Sequence, residues 1–222
     1  MDIGKNIKKL KETLPEGVKL VAVSKTKPNE DILAAYNTGH RIFGENKVQE
    51  LTRKQEELPK DIEWHFIGHP QTNKVKYMAP FVALIHGVDS LKLLKTINKE
   101  ARKNDRKIRC LLQFHIAEES TKFGLDESEA AGILDSEQFR QYTHVEVVGV
   151  MGMATYTDDE EQIRKEFRNL HSIFKKLKYR YFHDQDSFSE ISMGMSDDYP
   201  IAVEEGTTMI RVGSKIFGAR NY

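Results

Sequence analysis

VKLVAVSKTKP, residues 18–28, combines the pattern of a buried strand with a lysine at its end. The apolar run before Ser24 predicts a strand that is covered on both faces, and Pro28 stops any further extended pairing. Because side chains alternate along a strand, Lys25 should share a face with Val21. The segment therefore predicts a lysine whose amine lies at the exit of a buried strand.

An amine in that position would be partly desolvated. Desolvation disfavours the ammonium form, so a larger fraction of Lys25 would be a free amine able to form a Schiff base with an aldehyde. The alternative is a lysine that simply reaches into solvent from a strand end, since buried lysines are uncommon. The segment alone leaves both interpretations open.

Composition excludes several classes of partner. The chain has 222 residues, and its 34 basic residues balance its 34 acidic ones, so no global field attracts nucleic acid or an anionic membrane. Cys110 cannot form an internal disulfide, which favours a reducing compartment and a role as a small buried apolar residue. The N-terminal MDIGKNIKKL lacks an apolar signal core, and no segment approaches the roughly 20 apolar residues that cross a bilayer. We expect a cytoplasmic protein without a nucleic-acid or membrane partner.

Apolar runs alternate with amphipathic segments along the chain. The predicted strands are 18–25, 41–46, 62–69, 81–89, 108–116, 145–154, 190–196 and 209–217. The predicted helices are 2–14, 28–39, 48–58, 71–78, a helix capped by Ser90, 127–134, a long helix capped by Thr157, and 198–205. Strands that alternate with helices indicate a parallel sheet.

The count of eight strands favours closure into a single (β/α)8 TIM barrel. Such a barrel typically takes about 250 residues, so this chain is slightly short, and the helix before strand one is expected to cover the gap after strand eight. No linker, low-complexity tract or internal repeat interrupts the pattern. We expect one domain over residues 1–222.

Polar groups suited to a phosphate follow strands seven and eight. Functional groups of a barrel collect at the carboxyl ends of its strands, and phosphate is often held after strands seven and eight. Ser196 lies at the first of these ends, and Gly213 and Ser214 lie at the second. Glycine and serine are also common turn residues, so their position relative to Lys25 is what matters. Strand one neighbours strand eight in a closed barrel, so an aldehyde held by Lys25 and a phosphate held by Gly213 and Ser214 could belong to one ligand. Pyridoxal 5′-phosphate has both of these groups.

The histidines predict structure rather than a metal centre. His65 and His69 are four residues apart on a strand and its exit loop, which is not the helical spacing of a zinc site. His86 and His115 fall within predicted strands, so we expect hydrogen-bonded core histidines at both positions.

Several ordered motifs resemble those of the pyridoxal phosphate homeostasis proteins, a group of pyridoxal-phosphate-binding barrels. They are VAVSKTKP, FGENKVQEL, WHFIGHPQTNKVK, EESTKFGL, GVMGMAT and ISMGMSDDYPIAVEEGTTMIRVGSKIFGARNY, and they span the chain from about Val18 to its end. The resemblance implies a barrel similar to the N-terminal domain of alanine racemase. One departure is Pro70, where the family usually has an aliphatic residue.

The resemblance also implies a cofactor site. Lys25, the lysine of VAVSKTKP, would hold pyridoxal phosphate as a Schiff base, and Arg211 would face the pyridine nitrogen. The other implied cofactor-binding residues are Asn46, which would line the ring, and the phosphate ligands Ser196, Gly213 and Ser214. No catalytic residue and no metal is implied.

A charged guanidinium facing the ring nitrogen would leave that nitrogen without its own proton and make the cofactor a poorer electron sink. Alanine racemase also uses a second domain and a second subunit, for which this chain has no room. The implied role is therefore that of a monomer that carries, buffers and delivers the cofactor, with transient contact to pyridoxal-phosphate-dependent apoenzymes. Lys27 and Lys122 are candidate amines for transit, although exposed surface lysines are the alternative. The competing hypotheses are an amino acid racemase or related enzyme, and a scaffold without cofactor.

Overall fold

The strands close into a parallel barrel in chain order. The structure is a computed structural model that describes residues 2–118 and 123–219. Each strand pairs in parallel with its chain neighbour, and β8 pairs with β1. The strands are β1 (Lys19–Val23), β2 (Ile42–Glu45), β3 (Glu63–Phe66), β4 (Leu84–Val88), β5 (Ile108–Gln113), β6 (Val145–Met151), β7 (Glu190–Ser192) and β8 (Met209–Val212). The predicted (β/α)8 barrel is confirmed.

Helices fill the connections between the strands. They are α1 (Ile3–Glu12), α2 (Asn29–Tyr36), α3 (Val48–Glu57), α4 (Val75–Met78), α5 (Leu91–Lys103), α6 (Glu127–Asp135), α7 (Glu137–Arg140), α8 (Glu160–Tyr181), α9 (Tyr199–Glu204) and α10 (Ser214–Phe217). A 3₁₀ turn at Thr72–Lys74 precedes α4. The predicted Ser90 cap of α5 is confirmed, since its hydroxyl accepts the Leu93 amide at 3.3 Å.

Several element ends differ from the sequence prediction, among them the start of the long helix and the end of strand eight. Thr157 was expected to cap the long helix, but the cap is Asp159, whose carboxylate accepts the amides of Glu161 and Gln162. Two capping residue types lie close together there, and aspartate is the stronger one, since its carboxylate also complements the positive helix end. The prediction of strand from 209 to 217 was also wrong beyond Val212, because the apolar pair that ends this run belongs to α10. Ile216 and Phe217 are buried on a helix instead of on a strand.

The alternation of side chains divides the core into two layers. Six buried apolar residues pack together in the barrel interior: Val21, Leu84, Leu111, Val148, Met151 and Met209. A larger apolar cluster, to which Ala22 and Phe43 belong, packs the outside of the barrel against the helices. Adjacent residues of β1 therefore face opposite layers, as the alternation predicts.

The N-terminal helix covers the junction between β8 and β1. Helix α1 contacts both α2 and the short α10. The Asn6 amide donates to the carbonyl of Ile216 at 3.0 Å, which fastens α1 to α10. The prediction that the N-terminal helix covers the gap after strand eight is confirmed.

Candidate functional site

Lys25 and Arg211 lie at the carboxyl ends of neighbouring strands. Val21 on β1 is paired with Arg211 on β8, and Ala22 with Val212. Lys25 is half-buried two residues beyond β1. Gly213 follows β8 so closely against β1 that a Cβ there would lie 3.2 Å from the carbonyl oxygen of Val23. The residues that follow β1 and β8 are therefore in direct contact and form one surface at this end of the barrel.

The three residues predicted to hold a phosphate lie together. The Gly213 amide donates to the hydroxyl of Ser196 at 3.3 Å, and the exposed Ser214 follows directly as the first residue of α10. Ser196 lies in a turn beyond β7, because that strand ends at Ser192 and not at residue 196. A carboxylate oxygen of Asp198 accepts the Met195 amide at 2.5 Å and fixes this turn.

Asn46 lies at the same end of the barrel, at the exit of β2, which neighbours β1. It follows β2 directly and is half-buried. Gly68, after β3, packs so tightly on it that a Cβ would come within 2.6 Å of the Asn46 carbonyl oxygen. The glycine of GHPQTNK is thus required by a close approach of two backbones.

Arg211 is a buried cation with neutral partners. It is 4% exposed, and its guanidinium donates to the carbonyl of Ser192 at 2.9 Å, the hydroxyl of Ser192 at 2.5 Å and the carbonyl of Gly152 at 3.1 Å. No carboxylate in the described residues lies within 4.0 Å of it. Burial lowers the pKa of Arg211 to about 10, an effect that the charge of Asp198 opposes. The side chain thus remains charged at neutral pH, and a guanidinium has five N–H donors, so it retains capacity for an acceptor on a ligand.

A buried hydrogen-bond chain runs from Arg211 through the barrel interior. The hydroxyl of Ser192 lies 3.0 Å from Nδ1 of His86, and Nε2 of His86 lies 3.0 Å from Nδ1 of His65. Burial lowers the pKa of His65 to about 3 and holds that of His86 well below its usual range, so both rings are neutral. The prediction that His86 is a hydrogen-bonded core histidine is confirmed.

Lys25 itself lies in a strained turn. The carbonyl of Ser24 accepts the amide of Lys27 at 3.0 Å, so Lys25 and Thr26 are the two central residues. Thr26 has φ 64°, a value that a type II turn demands at this position and that glycine usually supplies. A β-branched residue with positive φ is a genuine outlier, of the kind that concentrates at functional sites.

Sequence reasoning missed the groups that surround this turn. Lys54 is fully buried on α3 and contacts Glu45, Glu50 and the carbonyl of Ser24. A signal was present, because Lys54 follows Val48 and Leu51 at intervals of three on the buried face of α3. A charged residue within an apolar stripe is unusual and marks a polar interior.

The other residues singled out in the sequence lie outside the cluster around Lys54 or outside the described residues. The amine of Lys27 donates to the carbonyls of Phe217 and Ala219, both at 2.9 Å. Lys122 lies outside the described residues. His115 is exposed just beyond β5, so its prediction as a core histidine was wrong, because β5 ends at Gln113. Pro70 is buried in the loop after β3.

Within residues 2–118 and 123–219, no cluster of three or more histidine, cysteine or acidic side chains is arranged to hold a metal ion. No helix in these ranges is both long and apolar enough to span a membrane.

Known proteins resemble this chain along nearly its whole length. The family model for the N-terminal domain of alanine racemase matches residues 2–221. The pyridoxal phosphate homeostasis protein of Aquifex aeolicus is 39% identical over 205 residues, which cover 92% of this chain and 88% of the relative. PipY of Synechococcus elongatus is 35% identical and covers 97% of this chain, and all of PipY is covered in turn. Its structures have TM-scores of 0.91 without pyridoxal phosphate and 0.89 with it bound.

The likeness to alanine racemase itself is one of fold. The enzyme from Clostridium difficile is 16% identical with a TM-score of 0.72, and this chain covers 56% of it. The family match and the near full-length relatives agree with the barrel and with the motifs along it. The chain belongs to the alanine racemase N-terminal domain family and, within it, to the pyridoxal phosphate homeostasis proteins.

Proposed function

We propose that this protein binds pyridoxal 5′-phosphate at the carboxyl end of its barrel and serves in its homeostasis by buffering, carrying and delivering the cofactor. The observation that carries the proposal is the meeting of Lys25, Arg211 and Gly213 at the adjoining exits of β1 and β8. An amine, a charged donor and a cluster of small polar groups match the aldehyde, the ring nitrogen and the phosphate of this molecule. The related PipY has been solved with pyridoxal phosphate bound.

Each predicted residue has a role in this proposal. The nitrogen of Lys25 adds to the aldehyde carbon, one water leaves with the aldehyde oxygen, and a C=N bond joins protein and ligand. Arg211 donates a hydrogen bond to the pyridine nitrogen, while Asn46 lines the ring. Donors for the phosphate come from Ser196, Gly213 and Ser214. Because imine formation releases only water, hydrolysis returns the free aldehyde, and this reversibility suits delivery.

The state of Arg211 favours a carrier over an enzyme. A pKa near 10 keeps the guanidinium charged at neutral pH, so it donates to the ring nitrogen and does not protonate it. An unprotonated ring nitrogen withdraws electrons weakly from a carbanion. We propose a monomer whose partners beyond the cofactor are apoenzymes met transiently.

The first test is an absorption spectrum of the purified protein with added pyridoxal phosphate, before and after borohydride reduction, followed by peptide mass mapping. We expect a visible band and a reduced product on the peptide that contains Lys25. Lys25→Ala should abolish both, while Lys27→Ala should retain them. Modification spread over surface lysines would contradict the proposal.

The second candidate function is a racemase or related amino acid enzyme, which the shared fold favours. It would exchange the α-hydrogen of an amino acid for deuterium in heavy water. We expect exchange by the loaded protein no faster than by free pyridoxal phosphate under the same conditions. Exchange at enzyme-like rates, lost in Lys25→Ala, would replace the carrier with an enzyme.

A further inference from the structure

The turn that presents Lys25 is held on both sides by buried charges of α3 and β2. Lys54 has no exposed surface, and its amine donates to the carbonyl of Ser24 at 2.8 Å, immediately before Lys25. The same amine donates to a carboxylate oxygen of Glu50 at 2.7 Å, and that oxygen accepts the amide of Thr26 at 2.8 Å, immediately after Lys25. Both peptide groups that flank the lysine are therefore tied to one ammonium group.

The third member of this cluster fixes the ammonium in place. Glu45 ends β2, and one of its carboxylate oxygens accepts Lys54 at 2.8 Å and the hydroxyl of Ser24 at 2.6 Å. Its side chain is fully buried, and burial raises its pKa against the opposing charge of Lys54. An ion pair so far from water adds little net stability over apolar packing of the same shape. Such a cluster has its clearest use in fixing one conformation.

The conformation that it fixes is one that the chain would otherwise avoid. Thr26 at φ 64° is strained backbone for a β-branched residue, and such strain persists only where the surroundings over-determine it. The hydrogen bond from Thr26 to Glu50 is a side-chain contact that does this. Released from it, the turn would relax and carry Lys25 with it.

We propose that Glu45, Glu50 and Lys54 form a positioning clamp, which holds the strained turn so that the amine of Lys25 meets the ligand aldehyde. The proposal rests on the proposed function, since it concerns how readily Lys25 condenses with pyridoxal phosphate. None of the three clamp residues touches the ligand in this scheme. They act through the backbone of Ser24 and Thr26, so they should influence the covalent step and leave the phosphate and ring contacts alone.

Glu50 is the residue to change, because its side chain is 16% exposed and its removal leaves Lys54 paired with Glu45. Glu50→Ala removes the acceptor of Thr26, whereas Glu50→Gln keeps an oxygen in its place. The matched control is Glu57→Ala on the same helix, which breaks the hydrogen bond at 2.6 Å to Asn29 but leaves the turn untouched. All variants are compared by circular dichroism to verify the fold.

Two ligands separate positioning from binding. Pyridoxal 5′-phosphate reports imine formation through its visible band, and pyridoxine 5′-phosphate, which lacks the aldehyde, reports the ring and phosphate contacts. We expect Glu50→Ala to lower the equilibrium constant for the imine about tenfold, because the relaxed turn no longer holds the amine of Lys25 next to the ligand aldehyde. Affinity for pyridoxine 5′-phosphate should stay within about twofold. Glu50→Gln and Glu57→Ala should resemble the unchanged protein.

A suppressor makes the role of the strained residue explicit. Glycine adopts positive φ without strain, so Thr26→Gly in the Glu50→Ala background should restore much of the lost imine. Equal losses for both ligands, no loss for either, or no restoration by Thr26→Gly would each overturn the clamp. If the unchanged protein formed no imine on Lys25, the proposed function would fail instead, and the two failures are thereby distinguished.

Discussion

The two ends of the barrel treat a buried charge in opposite ways. At the amino end the carboxylate of Glu190, 3% exposed, forms an ion pair with Lys19, accepts the hydroxyl of Thr208 at 2.9 Å and lies 3.7 Å from Arg109. At the carboxyl end Arg211 is equally buried, but within the described residues its guanidinium donates only to neutral oxygens. The charge of Glu190 is balanced by cations of the protein itself. The charge of Arg211 is not balanced in this way, so it can still interact with a ligand.

This difference predicts different costs for removing the two charges. Buried charges whose partners are supplied by the protein contribute to stability in the ligand-free state. A buried charge with neutral partners has lost its hydration without full compensation, so its removal costs folding little and costs binding more. Deleting each charge and measuring both the free energy of unfolding and the affinity for pyridoxal phosphate tests this difference.

The largest effect on folding is expected at the amino end. Glu190→Ala should lower the free energy of unfolding of the ligand-free protein by about 2 to 3 kcal/mol, because three polar partners lose a charged acceptor. Pyridoxal phosphate binding should not change. Urea denaturation measures the first quantity, with Glu146→Ala as the control at the same end, where the contact to Lys107 is 4.0 Å long. If Glu190→Ala lowered the free energy of unfolding no more than Glu146→Ala does, Glu190 would not stabilise the amino end of the barrel.

The next effect is expected at the carboxyl end and on binding. Arg211→Met should weaken pyridoxal phosphate binding about 10- to 100-fold, the worth of one hydrogen bond from a charged donor, and shift the absorption of the bound ligand. Unfolding of the ligand-free protein should change by less than about 1 kcal/mol, since the cost of burying the guanidinium disappears with its contacts.

Arg106→Met is the matched control, because Arg106 also donates to two neutral carbonyls, those of Ala79 and Val82. It should leave binding unchanged. If Arg211→Met bound the ligand normally but unfolded as readily as Glu190→Ala, both ends of the barrel would be structural.

A smaller effect is expected in acid, at a buried histidine near the amino end of the barrel. His40, just before β2, is 3% exposed, and burial lowers its pKa to about 4, helped by the charges of Lys11 and Arg41. The folded pKa lies below the unfolded value, so the contribution of neutral His40 is complete above the unfolded pKa and is lost as pH falls towards 4. From about pH 7 to about pH 5, this one group should cost roughly 1 to 2 kcal/mol.

His40→Asn should therefore flatten the fall in unfolding free energy over that range by the same amount. His183→Asn serves as the control, since His183 is 65% exposed and should leave the fall unchanged. Parallel pH profiles for the unchanged protein and His40→Asn would show that folding does not lower the pKa of His40.

The sequence predicted the barrel and the strand exits because both depend on local patterns. Apolar runs of period two and amphipathic helices specify the elements, and closure then brings the exits of β1 and β8 together. Lys25, Arg211 and Gly213 could therefore be placed from their positions in the chain, although their contacts with a cofactor stay predictions. The errors fell at element ends such as Val212 and at His115, where a continuing apolar run hid the point at which the strand stops.

The buried polar contacts could not be predicted in the same way. Lys54 meets Ser24 across 30 positions of sequence, and His86 meets Ser192 across 106. Nothing in the local pattern of either residue specifies its partner, because the pairing arises from the angle at which separate elements pack. The strained φ of Thr26 was hidden for a related reason, since only the contacts around the turn can hold a threonine there.

The smallest effect tests whether the two ends are coupled through the interior. Ser192→Ala removes the hydroxyl between His86 and Arg211 and should cost about 1 kcal/mol of unfolding free energy, because Nδ1 of His86 loses its partner. Arg211 keeps the carbonyls of Ser192 and Gly152, so pyridoxal phosphate binding should weaken by less than about threefold. Ser189→Ala, at an exposed position before β7, is the control. A binding loss as large as that of Arg211→Met would mean that the donor strength of Arg211 depends on the whole chain through His86 to His65. The carboxyl end would then not be independent of the barrel interior.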